Sequence, residues 1–175
     1  MTEQQPYDVV QRNSSFELRR YPEHLVAEVT VTAGFEDAGN KAFRYLFGYI
    51  SGEKIAMTAP VVQQPGSEAD EGADNYRIQF VLPAGLTLET APAPADPAVR
   101  LRVVPPSTAA AIRFSGRWTE SSFRMHLSEL RQALDAAGLV VSGVPRFARF
   151  DPPYLPAFLR RNEVLLDVQV KPATT

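Results

Sequence analysis

The chain contains no cysteine among its 175 residues and only two histidines. The missing cysteines exclude disulfide bonds, thiolate metal sites and a cysteine nucleophile. The sequence also lacks a glycine-rich phosphate loop, an HExxH metal motif and a nucleophile elbow, which are the common signatures of catalytic sites. We therefore expect a binding protein rather than an enzyme.

An excess of charge of one sign is also missing, since the formal net charge is -2. A balance so close to neutral provides no field that would attract nucleic acid or an anionic membrane. No apolar run reaches the roughly 20 residues of a membrane span, and the first residues carry neither part of a secretory signal. We expect a cytoplasmic protein, with a monomer favoured, that binds neither nucleic acid nor membrane.

The sequence is predicted to contain one structural unit twice, in the order strand, helix, strand, strand. In the first copy the elements are predicted at 25–31, 35–50, 55–62 and 76–82, and in the second at 109–114, 119–137, 144–150 and 163–170. Additional strands are predicted at 16–21, where apolar residues alternate, and at 99–104, ended by Pro105 and Pro106. A polar loop is expected over 64–75.

Neither copy can bury its apolar sheet face alone, so we expect one α+β domain over residues 7–171. The copies are predicted at about 16–82 and 99–171, and the proline-rich stretch 83–98 is predicted to be the extended linker between them. The two copies would meet at a groove.

The two predicted helices differ in their apolar faces. In the second helix Thr119 is a candidate N-cap and Gly138 a candidate C-terminal stop, and a single stripe explains the apolar residues by packing alone. The first helix carries one ridge of Ala38, Ala42, Leu46 and Tyr49 and a second ridge of Phe43, Phe47 and Ile50. Either this helix is buried on two sides, or its second ridge forms the wall of a groove for an apolar ligand.

Three stretches carry a family resemblance: 16–28, beginning FELRRYP; 49–61, which ends in IAMTAPV; and 150–164, with DPP followed by RRNEV. In these motifs the chain resembles the SOUL/haem-binding protein family. The resemblance implies a distorted antiparallel β-barrel with two flanking helices, and non-covalent binding of haem or a related porphyrin. Related two-copy domains bind small effector molecules.

The second ridge and the resemblance together predict an apolar groove that holds the tetrapyrrole for buffering or transport. Its predicted walls are Phe43, Phe47, Ile50, Met57 and Tyr154, with Lys41, Arg44 or Arg160 near the propionates. His24, His126 and Met57 are the weak candidates for iron ligands, because each is better explained as an edge, interface or core residue.

The chain also departs from the family pattern. Arg20 stands where some members have a histidine, and Asn40, Gly48 and Leu155 align with positions of cations in other members. Glu163 is expected to form a structural ion pair with an arginine. Three alternative functions remain open: a module for other small hydrophobic ligands, a protein-interaction module, or a weak tetrapyrrole-modifying enzyme.

Overall fold

The computed structural model describes residues 2–169, which form two α-helices, two short 3₁₀ helices and eleven β-strands. The helices are α1 (Phe35–Gly52) and α2 (Glu120–Ala136), and the 3₁₀ helices span Glu68–Asp70 and Ala157–Leu159. The strands are β1 (Glu3–Gln4), β2 (Asp8–Arg12), β3 (Glu17–Tyr21), β4 (His24–Thr32), β5 (Thr58–Ala59), β6 (Val61–Pro65), β7 (Asn75–Val81), β8 (Arg100–Val104), β9 (Ser107–Phe114), β10 (Val141–Arg149) and β11 (Asn162–Val168). No helix in this part of the chain combines the length and the apolar character that crossing a membrane requires.

Nine strands form one antiparallel sheet, in the order β2-β3-β9-β11-β10-β6-β7-β4-β8. The order of elements agrees with the predicted repeated unit, which is β4-α1-β6-β7 in the first copy and β9-α2-β10-β11 in the second. The copies meet where β6 pairs with β10. On each side of this junction the order is equivalent, because β7 lies between β6 and β4 just as β11 lies between β10 and β9.

The strand that precedes each copy pairs with the other copy: β3 pairs with β9, and β8 pairs with β4. Only Pro22 and Glu23 separate β3 from β4, and only Pro105 and Pro106 separate β8 from β9. Since three residue steps span at most about 11 Å, these links bring the two ends of the sheet together and require strong curvature. The mixed α+β fold with two helices and a large antiparallel sheet is confirmed. The predicted closed barrel is not, because no pairing joins β2 to β8 within residues 2–169.

The two faces of the sheet carry different side chains, because successive residues of a strand point to opposite faces. On one face α1 packs against β4 and β7, and α2 packs against β9, β10 and β11. These elements enclose the main hydrophobic core around the ring of Phe35, which stacks on Trp118 with 5.2 Å between ring centroids. The predicted packing ridges are buried there: Ala38, Ala42, Leu46 and Tyr49 of α1, and Phe123, Leu127, Leu130 and Leu134 of α2.

The ends of α2 agree with the predicted capping residues. The Thr119 hydroxyl accepts a hydrogen bond from the Ser122 backbone N–H at 3.2 Å, which satisfies a donor that the first helical turn leaves free. Gly138 has a φ of 72°, a left-handed conformation that glycine adopts without a steric penalty.

The predicted strand that follows α1 was wrong. A single strand was expected over 55–62, but the structure has β5 and β6 separated by Pro60, because proline has no N–H to donate to a ladder. β2 was not predicted, since all five of its residues are exposed and show no apolar alternation. Val170, the predicted end of the last strand, lies outside the described residues.

Candidate functional site

The exposed side of α1 carries two aromatic side chains that are stacked on each other. The rings of Phe43 and Phe47 have centroids 5.4 Å apart and planes at 13°, and these residues are 44% and 47% exposed. The Phe43 ring also meets the edge of Phe80, a core residue of β7, at 5.8 Å. Gly48 directly follows Phe47 in α1, and a Cβ at this position would meet no atom within 4 Å. We call this the Phe43–Phe47 surface, and it is a flat apolar area that is open to solvent.

The structure places the other predicted apolar wall residues differently. Ile50 is 3% exposed and belongs to the main core, and Met57 is half-buried and packs against that core. Tyr154, in contrast, is 88% exposed in the loop between β10 and β11. Among the described residues no aromatic contact links it to Phe43 or Phe47. The structure therefore brings together two of the five predicted wall residues.

Two of the predicted cations lie on α1 and already have partners. The Nζ atom of Lys41 donates a hydrogen bond to the backbone oxygen of Thr32 at 2.9 Å. The guanidinium of Arg44 donates to the Tyr45 hydroxyl at 2.8 Å and lies 4.7 Å from the centroid of the same ring. Both side chains are at the surface, so exchanging these contacts for a ligand anion costs little.

The third cation, Arg160, supports the loop that contains Tyr154. Its Nε atom donates to the backbone oxygen of Leu155 at 2.8 Å, and its Nη2 atom donates to that of Pro153 at 2.6 Å. Because these bonds hold the loop in shape, Arg160 has a structural role in this conformation.

The first histidine, His24, is held by two hydrogen bonds at the start of β4. Its Nδ1 atom lies 3.1 Å from the backbone oxygen of Pro22, and its Nε2 atom lies 3.2 Å from the side-chain nitrogen of Gln5. A carbonyl oxygen only accepts, so Nδ1 carries the proton and Nε2 accepts from Gln5. Burial lowers the pKa of His24, which agrees with this neutral form.

The second histidine, His126, is packed on the flank of α2. Its Nδ1 atom donates to the backbone oxygen of Ser122 at 2.7 Å, and its ring stacks on Phe114 with centroids 3.7 Å apart. Within residues 2–169 no three histidine, aspartate or glutamate side chains are grouped as a metal site requires. The geometry thus gives both histidines structural partners.

The sheet face turned away from the helices encloses a cavity of about 260 Å³, which the sequence reading missed. No residue of α1 or α2 lines it; its floor is formed at the junction of the two copies, where Val62 of β6 pairs with Ala148 of β10. Gln79 lies beside Val62 on β7, and Glu163 lies beside Ala148 on β11, so these polar residues occupy equivalent positions in the two copies. We call this cavity the inner cleft.

Glu163 is at the centre of a buried ionic network at one wall of the inner cleft. It is 0% exposed, and both of its oxygens accept from Arg19, at 2.7 Å each. Arg161 adds a hydrogen bond at 2.9 Å, and the Tyr21 hydroxyl accepts from Arg19 at the same distance. Burial raises the pKa of the Tyr21 phenol to about 12, so this group stays neutral. The predicted structural ion pair of Glu163 is confirmed, with two arginines rather than one.

The opposite wall of the cleft is lined by residues of β7 and β8. Two of them, Gln79 and Arg102, donate hydrogen bonds to Glu28 of β4, at 2.9 Å and 3.1 Å. Arg77 lines the same wall, and its Nε atom is buried without a hydrogen-bond partner among the described residues. The sequence signal for this wall is a set of polar residues at alternate positions of otherwise apolar strands, such as Arg77 and Gln79 in β7.

The geometry can now be compared with known proteins. The model of the SOUL heme-binding protein family matches residues 2–167, which is nearly the whole chain. The chain belongs to the SOUL heme-binding protein family. Arg20, which replaces a histidine of some SOUL proteins, is exposed on β3. No curated protein matches the chain.

Solved structures with the same fold come from proteins of several kinds. The C-terminal domain of EcmrR has a TM-score of 0.71 at 13% identity, covering 93% of this SOUL chain and 98% of that domain. A hydrolase from Listeria innocua has a TM-score of 0.61 at 14% identity, over 87% and 91% of the two chains. SAV2435, solved bound to tetraphenylphosphonium, has a TM-score of 0.51 at 10% identity, over 88% and 93%. At these identities the likeness concerns the fold alone.

Proposed function

We propose that this protein binds haem or a related tetrapyrrole without a covalent bond and acts as a cytoplasmic buffer or carrier, as a monomer. The observation that carries this proposal is the Phe43–Phe47 surface, in a chain that belongs to the SOUL family. Two stacked aromatic rings exposed on a helix form an apolar patch that water solvates poorly, and a flat macrocycle would cover it. The ring face would pack on Phe43 and Phe47.

The residues fit the macrocycle better than they fit the iron. His24 and His126 have structural hydrogen bonds, and Met57 packs against the core, so we assign no axial ligand. Binding would then come from apolar contact with the porphyrin, and iron would add little to affinity. Lys41 and Arg44 are the cations on α1 that could turn to the propionates, and both would exchange weak surface contacts.

The remaining predicted residues extend the proposal around this surface. Tyr154 is fully available in its loop, and Arg160 lies in the same loop. Ile50, which belongs to the main hydrophobic core, and Met57, which packs against it, would support the Phe43–Phe47 surface from the interior. For Tyr154 and Arg160 to contribute to the groove, the loop between β10 and β11 would have to approach α1 when the ligand binds.

The test is a titration of the purified protein with ferric haem and, separately, with metal-free protoporphyrin IX, followed by absorbance. We expect one-to-one saturation with both and similar affinities, because the aromatic surface contacts the ring and not the metal. The variant Phe43→Asp/Phe47→Asp should lose both, whereas Met125→Asp, which alters an equally exposed apolar residue of α2, should bind normally. Unchanged affinity in the double variant would refute the proposed surface.

A second candidate function is binding of a small hydrophobic molecule without carboxylates on the same surface. The observation that favours this function is that Lys41, Arg44 and Arg160 all have protein partners. Each of them would have to give up a contact before it could bind a propionate. A thermal-shift screen separates the two candidates, since a ligand that binds the native state raises the melting temperature. A neutral planar compound that stabilises the protein more than haem does would support this second function.

A further inference from the structure

We propose that the inner cleft is a second binding site, which takes a small organic anion through the guanidinium of Arg77. This site is separate from the Phe43–Phe47 surface, because the cleft lies on the sheet face away from the helices. The proposal therefore does not depend on tetrapyrrole binding. The ligand class follows from the charges of the cleft and from the apolar part of its lining.

Arg77 is the feature that points to a ligand. It lies on β7 between Thr30 of β4 and Gln64 of β6, and neither neighbour carries a charge. Within the part of the chain that the structure describes, no carboxylate lies within ion-pair distance of its guanidinium. Its Nε–H is buried and has no acceptor. A buried donor of this kind costs free energy. The guanidinium of Arg77 lines the cleft, and it is the group that a ligand carboxylate in the cleft would pair with.

The acidic groups around the cleft are all neutralised by other arginines. Glu163 is paired with two guanidinium groups and Glu28 with one, and Asp167 accepts from Arg146 at 2.7 Å. A cationic ligand would therefore have to displace an arginine to reach any of these carboxylates. An anionic ligand would displace no ion-pair partner, because Arg77 has no carboxylate partner among the described residues.

The formal charge of the cleft and of its ionic networks also favours an anionic ligand. Four carboxylates meet six guanidinium groups there, so two positive charges remain uncompensated. His24 does not change this balance, because its lowered pKa keeps it neutral at pH 7. The groups counted are Glu17, Glu28, Glu163 and Asp167, against Arg12, Arg19, Arg77, Arg102, Arg146 and Arg161.

The apolar part of the lining favours an anion with an apolar body over a bare inorganic ion. Val62 and Ala148 form the floor, Val81 and Leu165 continue it in the two copies, and Phe150 stands at the side. These side chains offer no hydrogen bonds to the outer oxygens of phosphate or sulfate. They suit a carboxylate attached to a compact aromatic or aliphatic group.

Three probes of nearly the same shape test this inference: benzoate, benzamide and benzamidine, which are negative, neutral and positive. Each is titrated into the full chain and followed by calorimetry and by amide chemical shifts in NMR spectra. We expect saturable binding of benzoate only, with shifts confined to strands β6, β7, β10 and β11. Inorganic phosphate should give no saturable binding, and it distinguishes general anion attraction from recognition of the apolar body.

Two variants with the same change of charge complete the test. Arg77→Gln should weaken benzoate binding by about tenfold or more, whereas Arg117→Gln, at an exposed loop position, should leave it unchanged. Benzoate should still bind to Phe43→Asp/Phe47→Asp, so a failure of the tetrapyrrole proposal does not affect this one. The inference is overturned if benzoate does not bind, if benzamide or benzamidine binds as well, or if Arg77→Gln binds benzoate like the unaltered protein.

Discussion

Replacing Glu163 by glutamine should be among the most damaging single changes in this protein. Glu163 is fully buried, and its two oxygens accept hydrogen bonds from Arg19 and Arg161. Burial by itself would lower the pKa of Arg19, but the hydrogen bonds and charge of Glu163 outweigh it and the pKa is raised. Glutamine removes that charge and leaves the buried Arg19 guanidinium with Glu17, a partly exposed carboxylate at 2.8 Å, as its remaining ionic partner among the described residues.

The expected loss follows from the burial of both partners. Removing one member of a buried ion pair costs about 3–5 kcal/mol, because the remaining charge stays out of water. A domain of this size has a free energy of unfolding of about 5–15 kcal/mol, so the loss ranges from about a fifth of that stability to all of it. Asp167→Asn is the matched control, because its pair with Arg146 is 20–31% exposed and should cost below about 1 kcal/mol.

Urea denaturation of five proteins measures both the loss and its origin. They are the unaltered chain, Glu163→Gln, Arg19→Met, the double variant of these two and the control Asp167→Asn, with unfolding free energies from linear extrapolation. If the uncompensated charge is the cause, the double variant should be more stable than the sum of the single losses predicts. The reasoning is refuted if Glu163→Gln costs no more than Asp167→Asn, or if the two single losses simply add.

Three further outcomes are expected. Burial lowers the pKa of His24, so the native state binds fewer protons than the unfolded chain as the pH falls below about 6.5, and stability is lost in that range. His24→Gln should flatten the fall in melting temperature between about pH 7 and about pH 5. Gly39→Ala should destabilise the protein although alanine favours helices by about 1 kcal/mol, because a Cβ would lie 2.2 Å from the Arg149 Nη2 atom and would displace that guanidinium from the Trp118 ring, on which it lies 4.3 Å from the centroid. In an Arg149→Ala background the same change should become stabilising, and a persistent loss in chemical denaturation would contradict the contact. Thr119→Ala should cost about 1 kcal/mol through loss of the helix cap, with thermal unfolding as the measurement and Thr2→Ala, at an exposed position, as the control.

The elements that could be predicted from the sequence are those determined by local patterns. The stripe from Phe123 to Leu134, with its cap at Thr119 and glycine stop at Gly138, determines α2 without reference to the rest of the chain. The pairing of β3 with β9 could not be predicted, because no local pattern says that a strand joins the other copy. Pro60 was visible in the sequence, but its effect on the strand was overlooked.

The same distinction applies to the two candidate sites, because a local sequence pattern indicates one of them and not the other. Phe43 and Phe47 could be identified from the sequence, because at helical spacing they form a second apolar ridge beside the ridge that packs against the core. The inner cleft was missed because Arg77, Gln79 and Glu163 alternate with apolar residues, a pattern that also describes a sheet face in contact with water. Only the curvature of the sheet turns that face inward and makes the arginines and carboxylates neighbours.

The exchange of strands between the two copies has a consequence for how the chain folds. Strand β4 has its partner β8 only after the linker has been made, and β3 has its partner β9 later still. Contacts between residues so distant in the sequence slow folding, because a large loop must close before they form. On the ribosome the first copy would emerge with an open sheet edge at β4. This edge stays unprotected until β8, at the start of the second half of the chain, has been synthesised, so the order of synthesis sets the order of assembly.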